Sequence, residues 1–337
     1  MSCKKTTILL LLVLLLVACS PTMPAVIKKS TVYLPFAYSH RQPAAGVEIW
    51  PGVLSSPAIK SKLLDLHPGI VRTYLDWSAI EATKGVYSWP PGFTSDYQAL
   101  MDIPMIVTIK NTPTWARAGV LACDRISTTG LPYLAKFISA AMTRYPKIKM
   151  VEIWNEPDIL TTAMSPSMDG YFGCWGRVSE PYNGGGYYAS ILAAVYPTVH
   201  AKGGSVIAGA VSYASRAGSL LWLDGWIHSP NYDMVSIHAY MRNQTGLQDA
   251  INDVRSRTTR PLMISETSWF CYTGTCSASD LALQSAWLKT IRAVATSNRL
   301  YAWVWYTLPD PGWRDAGLLN SANAGKPVFY TFKNPYP

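Results

Sequence analysis

The sequence lacks several of the patterns that mark common protein classes. No GxGxxG motif follows its first predicted strand, which argues against a dinucleotide-binding fold, and the GxSxG motif of many serine hydrolases is absent. Charged residues make up only 15% of the chain, and the basic ones are scattered along it. Because nucleic-acid binding requires a clustered basic patch, we expect no nucleic-acid partner despite the formal net charge of +9.

A short basic and apolar segment lies near residue 1. Lys4 and Lys5 precede an apolar run over 8–17, which is the layout of a secretory signal. The run is too short to span a bilayer comfortably, and no later stretch is long and apolar enough to do so. The mature protein is therefore not expected to be inserted into a membrane.

The tetrapeptide LVAC over 16–19 resembles a bacterial lipobox. The resemblance implies cleavage before Cys19 and lipid attachment to its thiol. We therefore expect a lipoprotein signal peptide over 1–18 and a lipid-anchored tether and lead-in over 19–44. The protein would be exported and held at the cell envelope, and Ser20 would direct it to the outer membrane if the source is Gram-negative.

The remaining cysteines form an even set, Cys123, Cys174, Cys271 and Cys276. An even set in an exported protein suggests two disulfides, for which three pairings are possible. Cys271 and Cys276 enclose a turn-like YTGT segment, so we expect this local pair and, by elimination, Cys123–Cys174. Metal binding is the alternative, but there is no CxxC spacing and no neighbouring histidine, so no metal is expected.

From about residue 45 the sequence alternates short apolar, β-branched runs with longer amphipathic stretches, which indicates βα units and a parallel sheet. The predicted strands are Gly46–Trp50, Ile70–Leu75, Pro104–Ile109, Lys149–Trp154, Ser205–Ala208, Met234–His238, Pro261–Ser265 and Tyr301–Trp305. Helices are predicted near 57–66, 93–102, 131–145, 186–202, 218–228, 246–257 and 279–297. Eight strands with a helix after nearly every one favour a single (β/α)₈ (TIM) barrel domain over 45–337.

Two stretches of the predicted barrel have weaker patterns. The run Gly184-Gly185-Gly186 lacks the lysine and serine of a phosphate-binding P-loop, so a flexible loop before a helix is expected there. The segment 317–333 has no clear helical period, and an irregular closure of the barrel is expected.

Two glutamates follow buried runs of the predicted barrel. The fourth strand ends in Trp-Asn-Glu-Pro with Glu156, and the seventh strand delivers Glu266 in Ser-Glu-Thr. Strand carboxyl ends meet at one end of a barrel, where TIM-barrel enzymes carry out their chemistry. Two carboxyl groups about 5–5.5 Å apart can cleave a glycosidic bond with retention of configuration. Glu152 lies two residues earlier and is expected to point into the barrel or to pair with a lysine.

The WNEP and SET motifs resemble the retaining glycoside hydrolases of clan A, which have (β/α)₈ barrels. The resemblance implies that Glu156 is the acid/base and Glu266 the nucleophile, with no cofactor. It also assigns five residues to the sugar site, namely Asn155, Arg72, His238, Tyr240 and a strand-8 tryptophan, Trp305 or Trp303. The WYTL, GLL and KNTPTWA segments look most like the branch of β-xylosidases and exopolysaccharide hydrolases, which glycoside hydrolase family 39 represents.

Aromatic residues on the predicted βα loops, Trp115 among them, suit the apolar faces of sugars and favour a cleft for an oligosaccharide over a pocket for one sugar. The resemblance to clan A implies a poly- or oligosaccharide with β-linkages as substrate. Three other functions are considered. A glycan-binding lipoprotein without activity is disfavoured because both glutamates are present, and a periplasmic transport-type binding protein would need two lobes. A transglycosylase would use the same two glutamates, and the sequence does not distinguish it from a hydrolase. The oligomeric state is not readable either.

Overall fold

The apolar runs form the eight strands of a closed parallel barrel in a computed structural model of the protein. The structure describes residues 42–100, 102–159, 173, 175, 179–271, 275–312 and 315–334, all within the compact unit Tyr33–Pro337. Strands pair with their neighbours in the chain, and β1 closes the ring by pairing with both β2 and β8. They are β1 (Ala44–Glu48), β2 (Ile70–Asp76), β3 (Met105–Lys110), β4 (Met150–Ile153), β5 (Ser205–Val211), β6 (Met234–Ala239), β7 (Leu262–Thr267) and β8 (Ala302–Trp305). The predicted (β/α)₈ fold is confirmed.

Helices follow the strands and begin at residues suited to that position. The Ser56 and Asn243 side chains accept hydrogen bonds from backbone N–H groups of the first turn, and Ser277 forms a capping box with Asp280. The α-helices are α1 (Pro57–Leu66), α2 (Trp77–Ile80), α3 (Pro91–Ala99), α4 (Leu131–Arg144), α5 (Pro181–Ala201), α6 (Arg216–Asp224), α7 (Gln244–Arg255), α8 (Ala278–Ser297) and α9 (Pro327–Lys333). Short 3₁₀ helices cover Val53–Ser55 and Thr114–Ala116. Among the described residues, no helix is both long and apolar enough to cross a bilayer.

Side chains alternate between the inside and the outside of the barrel. The inner apolar cluster consists of Ile70, Ile106, Met150, Ile207, Met234, Met263, Ala302 and Val304. The intervening residues, such as Val71, Val107 and Val151, belong to a larger cluster between the strands and the surrounding helices. This alternation follows from the two-residue period of a strand, and it decides which side chains can reach a site inside the barrel.

Two expectations about helices were wrong. The three glycines at 184–186 lie inside α5, and a side chain on Gly185 would collide with the backbone carbonyl of Trp222 on α6. Glycine thus lets two helices approach closely at this point. The segment expected to close the barrel irregularly contains α9, whose Phe329 and Phe332 are buried.

Candidate functional site

The inward side chains change from apolar to polar toward the carboxyl end of the barrel. On β2, Arg72 lies two residues after the inward-facing Ile70, and on β4, Glu152 lies two residues after Met150. Strand β1 ends with Glu48, β6 carries His238 and β7 carries Glu266, and all five polar side chains are buried. They occupy the end of the barrel at which TIM-barrel enzymes carry out their chemistry.

Arg72 connects four of these strand ends. Its Nε donates a hydrogen bond of 2.8 Å to Glu152 Oε2, and its Nη2 donates one of 3.1 Å to Asn155 Oδ1. Its Nη1 donates to both Glu48 Oε2 and Glu266 Oε1. Glu152 therefore points into the barrel as expected, but it pairs with an arginine and not with a lysine. The predicted positions Arg72, Asn155 and Glu266 lie together.

Glu152 is held as a carboxylate by its neighbours. Burial opposes its ionisation, but Arg72, His238 and hydrogen bonds from Thr108 and Ser236 hold its pKa below the ordinary value. The hydroxyl groups donate at 2.7 Å and 2.8 Å. Glu152 thus serves as a fixed negative charge beneath Arg72.

The turn after β4 presents Glu156 at the mouth of the barrel. Trp154 and Glu156 have positive φ angles of 73° and 45°, a backbone conformation that is uncommon outside glycine and tends to occur at functional sites. The buried Trp154 ring packs on Trp175 with 4.7 Å between centroids and fixes the turn. His238 Nδ1 lies 2.7 Å from Glu156 Oε1, so the predicted histidine contacts this carboxyl group directly.

Glu266 is held from two sides. Arg72 donates to Oε1, and the Tyr240 hydroxyl donates to Oε2 at 2.6 Å. His238 Nδ1 lies 3.5 Å from the same Oε2 atom. A register shift between β6 and β7 places Glu266 opposite His238, which brings the two carboxylates and the imidazole to one point.

Opposite pKa shifts separate the two predicted catalytic carboxyl groups. Burial, opposed by His238 and reinforced by Glu266, raises the pKa of Glu156. Burial also acts on Glu266, but His238, Arg72 and the Tyr240 hydroxyl outweigh it and lower the pKa of that carboxyl group. Burial raises the pKa of Tyr240 far above the ordinary value, so its hydroxyl remains a donor. The site thus favours a protonated Glu156 beside an ionised Glu266.

The two carboxyl groups are close enough to act on one bond. One oxygen of Glu156, one of Glu266 and a ring nitrogen of His238 lie within 4.8 Å of one another. Three such atoms could also bind a metal ion. A second set of this kind, Cys271, Cys276 and Asp315, includes a disulfide whose sulfurs are bonded to each other.

The two strand-8 tryptophans do not lie in this site. Ala302 and Val304 face into the barrel, so Trp303 and Trp305 face outward by the strand period, and both are fully buried. Trp303 packs on Phe332 of α9, and the Trp305 indole donates a 3.0 Å hydrogen bond to the Ala316 carbonyl. The expectation that one of them lies beneath the sugar is corrected.

Trp115 is half-buried in the loop after β3. Its indole N–H donates at 2.8 Å to the Glu81 carbonyl, and its ring meets Trp77 and Tyr133 edge to face. These contacts attach Trp115 to the segment after β2. Its predicted role in substrate binding stays a prediction.

The sequence interpretation missed two ionisable side chains of the site, Glu48 on β1 and Lys110 on β3. Lys110 is buried, and its Nζ lies 3.3 Å from the centroid of the Tyr74 ring. Both residues stand at the carboxyl end of a mostly apolar strand, which is the signal that identified Glu156 and Glu266. Burial raises the pKa of Glu48 to about 7 and lowers that of Lys110 to about 7.

The local disulfide predicted from the cysteine spacing is present. Cys271 and Cys276 are bonded, with 5.3 Å between their Cα atoms. Cys174 lies outside the described residues, so the pair Cys123–Cys174 stays a prediction. Cys19, the signal peptide 1–18 and nearly all of the tether also lie outside the described part of the chain.

Solved structures of glycoside hydrolases share this architecture. A family 39 glycoside hydrolase from Bacteroides cellulosilyticus WH2 aligns with a TM-score of 0.62 at 17% identity, over 87% of this chain and 63% of that one. An exo-β-1,4-mannosidase from Opitutaceae bacterium strain TAV5 aligns with a TM-score of 0.62 at 13% identity, over 87% and 58%. Xylanase 10B from Thermotoga maritima gives 0.63 at 13% identity, over 87% and 94%.

The chain spans less than two thirds of the length of the first two structures, and at these identities the likeness shows the fold alone. A search of curated proteins gave no match. The family model described as glycosyl hydrolase catalytic core matches residues 86–327, which is more than half of the sequence. The predicted resemblance to clan A glycoside hydrolases is confirmed by this match together with the shared fold. The chain therefore belongs to the glycosyl hydrolase catalytic core family, as a glycoside hydrolase built on a (β/α)₈ barrel.

Proposed function

We propose that this glycoside hydrolase cleaves β-glycosidic bonds of a poly- or oligosaccharide with retention of configuration, by double displacement. Glu266 is the nucleophile and Glu156 the acid/base. The observation that carries the proposal is that one oxygen of Glu156 and one of Glu266 lie within 4.8 Å of each other. Retaining enzymes hold their two carboxyl groups about 5–5.5 Å apart, whereas inverting enzymes leave about 6.5–9.5 Å for a water molecule.

In the first step, a Glu266 oxygen bonds to the anomeric carbon as the bond from that carbon to the leaving oxygen breaks. Glu156 gives its proton to the leaving oxygen. In the second step, Glu156 takes a proton from water, the water oxygen attacks the anomeric carbon, and Glu266 leaves as a carboxylate. The opposite pKa shifts of the two carboxyl groups suit the starting state of this cycle.

The neighbouring side chains have supporting roles in the proposed cycle. Arg72 and Tyr240 donate hydrogen bonds to separate oxygens of Glu266, which orients the carboxylate and keeps it ionised before attack. The amide oxygen of Asn155 accepts a hydrogen bond from Arg72, so its amide nitrogen takes no part in that bond and can donate to a sugar hydroxyl. His238 Nδ1 is hydrogen-bonded to Glu156 and stabilises the Glu156 carboxylate after that residue has given up its proton.

The substrate class is proposed on the same basis. The structures that share the fold include a xylanase and an exo-β-1,4-mannosidase, and the name of the second refers to a β-linkage. A β-linked polysaccharide is therefore the first substrate to try. Within clan A, the branch near family 39 is the one that the loop motifs favour.

The test is a panel of β-linked glycans, with the anomeric configuration of the first product followed by proton NMR. Retention requires the product to appear first as the substrate's anomer. Glu266→Ala should lose turnover, and azide should restore it by forming a glycosyl azide of inverted configuration. Glu180→Gln, at an exposed glutamate before α5, is the matched control and should retain activity.

Three outcomes would contradict the proposal. A first product of the opposite anomer would mean inversion by way of a water molecule. Binding of a glycan without any cleavage would favour the glycan-binding lipoprotein instead. Transfer of sugar to an added acceptor, in place of release to water, would identify a transglycosylase with the same glutamates.

The location of the enzyme is also part of the proposal. Lipid on Cys19 would anchor the mature chain to the cell envelope, and residues between the lipid and β1 would act as the tether. Labelled palmitate should be incorporated by the wild-type chain and not by Cys19→Ser. Equal labelling of both chains, or none, would contradict the anchor without affecting the assignment of the catalytic residues.

A further inference from the structure

Glu48 shares a hydrogen-bond donor with the proposed nucleophile. Arg72 uses Nε and Nη2 for Glu152, with 2.8 Å and 2.7 Å to the same carboxylate oxygen, and Nη2 also reaches Asn155. The remaining nitrogen, Nη1, donates to Glu48 and to Glu266 together. Nη1 carries two hydrogens, one for each glutamate, so Glu48 and Glu266 share the positive charge of one nitrogen in a guanidinium group whose other nitrogens bind Glu152 and Asn155.

The surroundings of Glu48 make this shared contact sensitive to the charge of Glu48. Glu48 is 4% exposed, so water screens its charge little. Four ionisable side chains from other elements act on it, Arg72 from β2, Lys110 from β3, Tyr240 after β6 and Glu266 from β7. Burial and Glu266 favour the neutral form of Glu48, while Arg72 and Lys110 favour the carboxylate.

We propose that Glu48 is a positioning residue that acts through Arg72, sharing the positive charge of Nη1 with Glu266 so that the charge of Glu48 sets how strongly Arg72 stabilises the nucleophile. This inference rests on the proposed function for its catalytic consequence. A neutral Glu48 leaves the positive charge of Nη1 to Glu266, which stabilises that carboxylate and slows its attack. An ionised Glu48 offsets part of this positive charge and adds negative charge beside the sugar, where positive charge develops as the glycosidic bond breaks.

The charge of Glu48 also matters once Glu266 is bonded to the sugar. Glu266 then carries no charge, and Arg72 retains Glu152 and Glu48 as its carboxylate partners.

Burial brings the pKa of both Glu48 and Lys110 to about 7, so the ionised fraction of Glu48 changes between pH 5 and pH 8. Glu48→Gln should therefore behave like the wild type at low pH and differ from it at high pH.

The experiment compares the rate of glycosyl-enzyme formation in the wild type and in Glu48→Gln from pH 5 to pH 8. Glutamine keeps an oxygen that can accept from Arg72 but cannot ionise. The ratio of wild-type to variant rate should be near one at pH 5 and rise to about threefold or more at pH 8, as for loss of part of one charged hydrogen bond. Lys110→Met removes a cation that favours ionised Glu48, so the rise in rate of this variant should move to higher pH.

A second readout does not depend on turnover. Carboxyl ¹³C NMR of the glutamate-labelled, full-length protein should show the Glu266 signal responding near pH 7, with the midpoint of Glu48, and Glu48→Gln should abolish this response. Lys110→Met should move both midpoints upward together. This measurement tests whether the charge of Glu48 acts on Glu266 even if Glu48→Gln does not fold, because the wild type and Lys110→Met can be compared. It also applies if the wild type turns over no glycan and the proposed function fails.

Glu81→Gln is the matched control. Glu81 is a buried glutamate whose oxygens accept from Trp77 Nε1 at 2.7 Å and from the Gly85 backbone at 2.8 Å, away from Arg72. The ratio of the wild-type rate to the Glu81→Gln rate should not depend on pH. A pH-independent ratio for Glu48→Gln as well, or a Glu266 signal that ignores the titration of Glu48, would overturn the proposal.

Discussion

The same strands have two different interiors at the two ends of the barrel. Toward the amino end the inward side chains are apolar, as with Ile106 and Met150. Toward the carboxyl end they are charged or hydroxylated, as with Arg72, Glu152 and Lys110. The side chains named at both ends are buried, so the contrast between them lies in side-chain chemistry. The apolar end therefore stabilises the fold, while the polar end holds buried charges that are useful to catalysis and unfavourable to folding.

The largest difference between the two ends should be seen in catalysis. Glu266→Gln removes the nucleophile and should lower kcat by about three orders of magnitude or more, because the amide cannot form the glycosyl-enzyme. The circular dichroism melt should still show a cooperatively folded protein. Residual turnover above a hundredth of the wild-type value would mean that another group attacks the sugar.

Stability should show the reverse pattern. Ile106→Ala leaves a cavity in the inner apolar cluster and should lower the free energy of unfolding by about 2–5 kcal/mol. Urea unfolding measures this loss, and kcat per folded molecule should stay unchanged. Leu64→Ala on α1, where the side chain is 46% exposed, is the control and should change stability little.

Removing a charge from the polar end should stabilise the protein in one pH range. The pKa of Lys110 is about 7 in the folded chain, against 10.5 for an ordinary lysine, because burial disfavours its charge. A depressed pKa means that charged Lys110 opposes folding fully below pH 7, and the penalty disappears as the pH rises to the unfolded value. Lys110→Met should therefore raise the urea midpoint more at pH 6 than at pH 10.

An exposed lysine provides the comparison for that experiment. Lys136→Met on α4 removes a lysine from the protein surface and should give no gain that depends on pH. Equal gains from Lys110→Met at pH 6 and pH 10 would show that the packing of methionine, and not the loss of a buried charge, is responsible.

The smallest expected effect comes from a single hydroxyl group beneath Arg72. Thr108→Val removes the 2.7 Å hydrogen bond to Glu152 and should lower the free energy of unfolding by about 1–2 kcal/mol. It should also raise the pKa of Glu152, which this bond helps to lower. The exposed Thr143→Val is the control, and an equal loss in both variants would show that the bond contributes nothing specific.

The sequence predicted the strands well because a barrel interior demands continuous apolar runs. Glu156 and Glu266 were found for the same reason, since each interrupts such a run at its carboxyl end. Glu48 and Lys110 satisfy the same criterion, but β1 and β3 carry no motif that draws attention to one charged residue. Their effect depends on distances across the barrel, which sequence spacing does not contain.

The orientation of β8 was harder to predict than its position. Its sequence, AWVW, alternates small and large residues, and the resemblance to clan A implies that one of its two tryptophans lies beneath the sugar. The narrow centre of the barrel takes Ala302 and Val304 instead, and the tryptophans pack under the helices. The glycines of α5 were misjudged for a related reason, because the contact that requires Gly185 is with a helix some forty residues away.

The bonds of Arg72 join the two halves of the chain. Glu266 follows Arg72 by 194 residues, yet both must be in place before the nucleophile is oriented. A fragment that stops before β7 retains Glu156 but lacks the nucleophile Glu266, so it should be inactive however much helix it forms. Recovery of activity during refolding should therefore report the final closure of the ring, and complementation between separately expressed halves would be a direct assay for it.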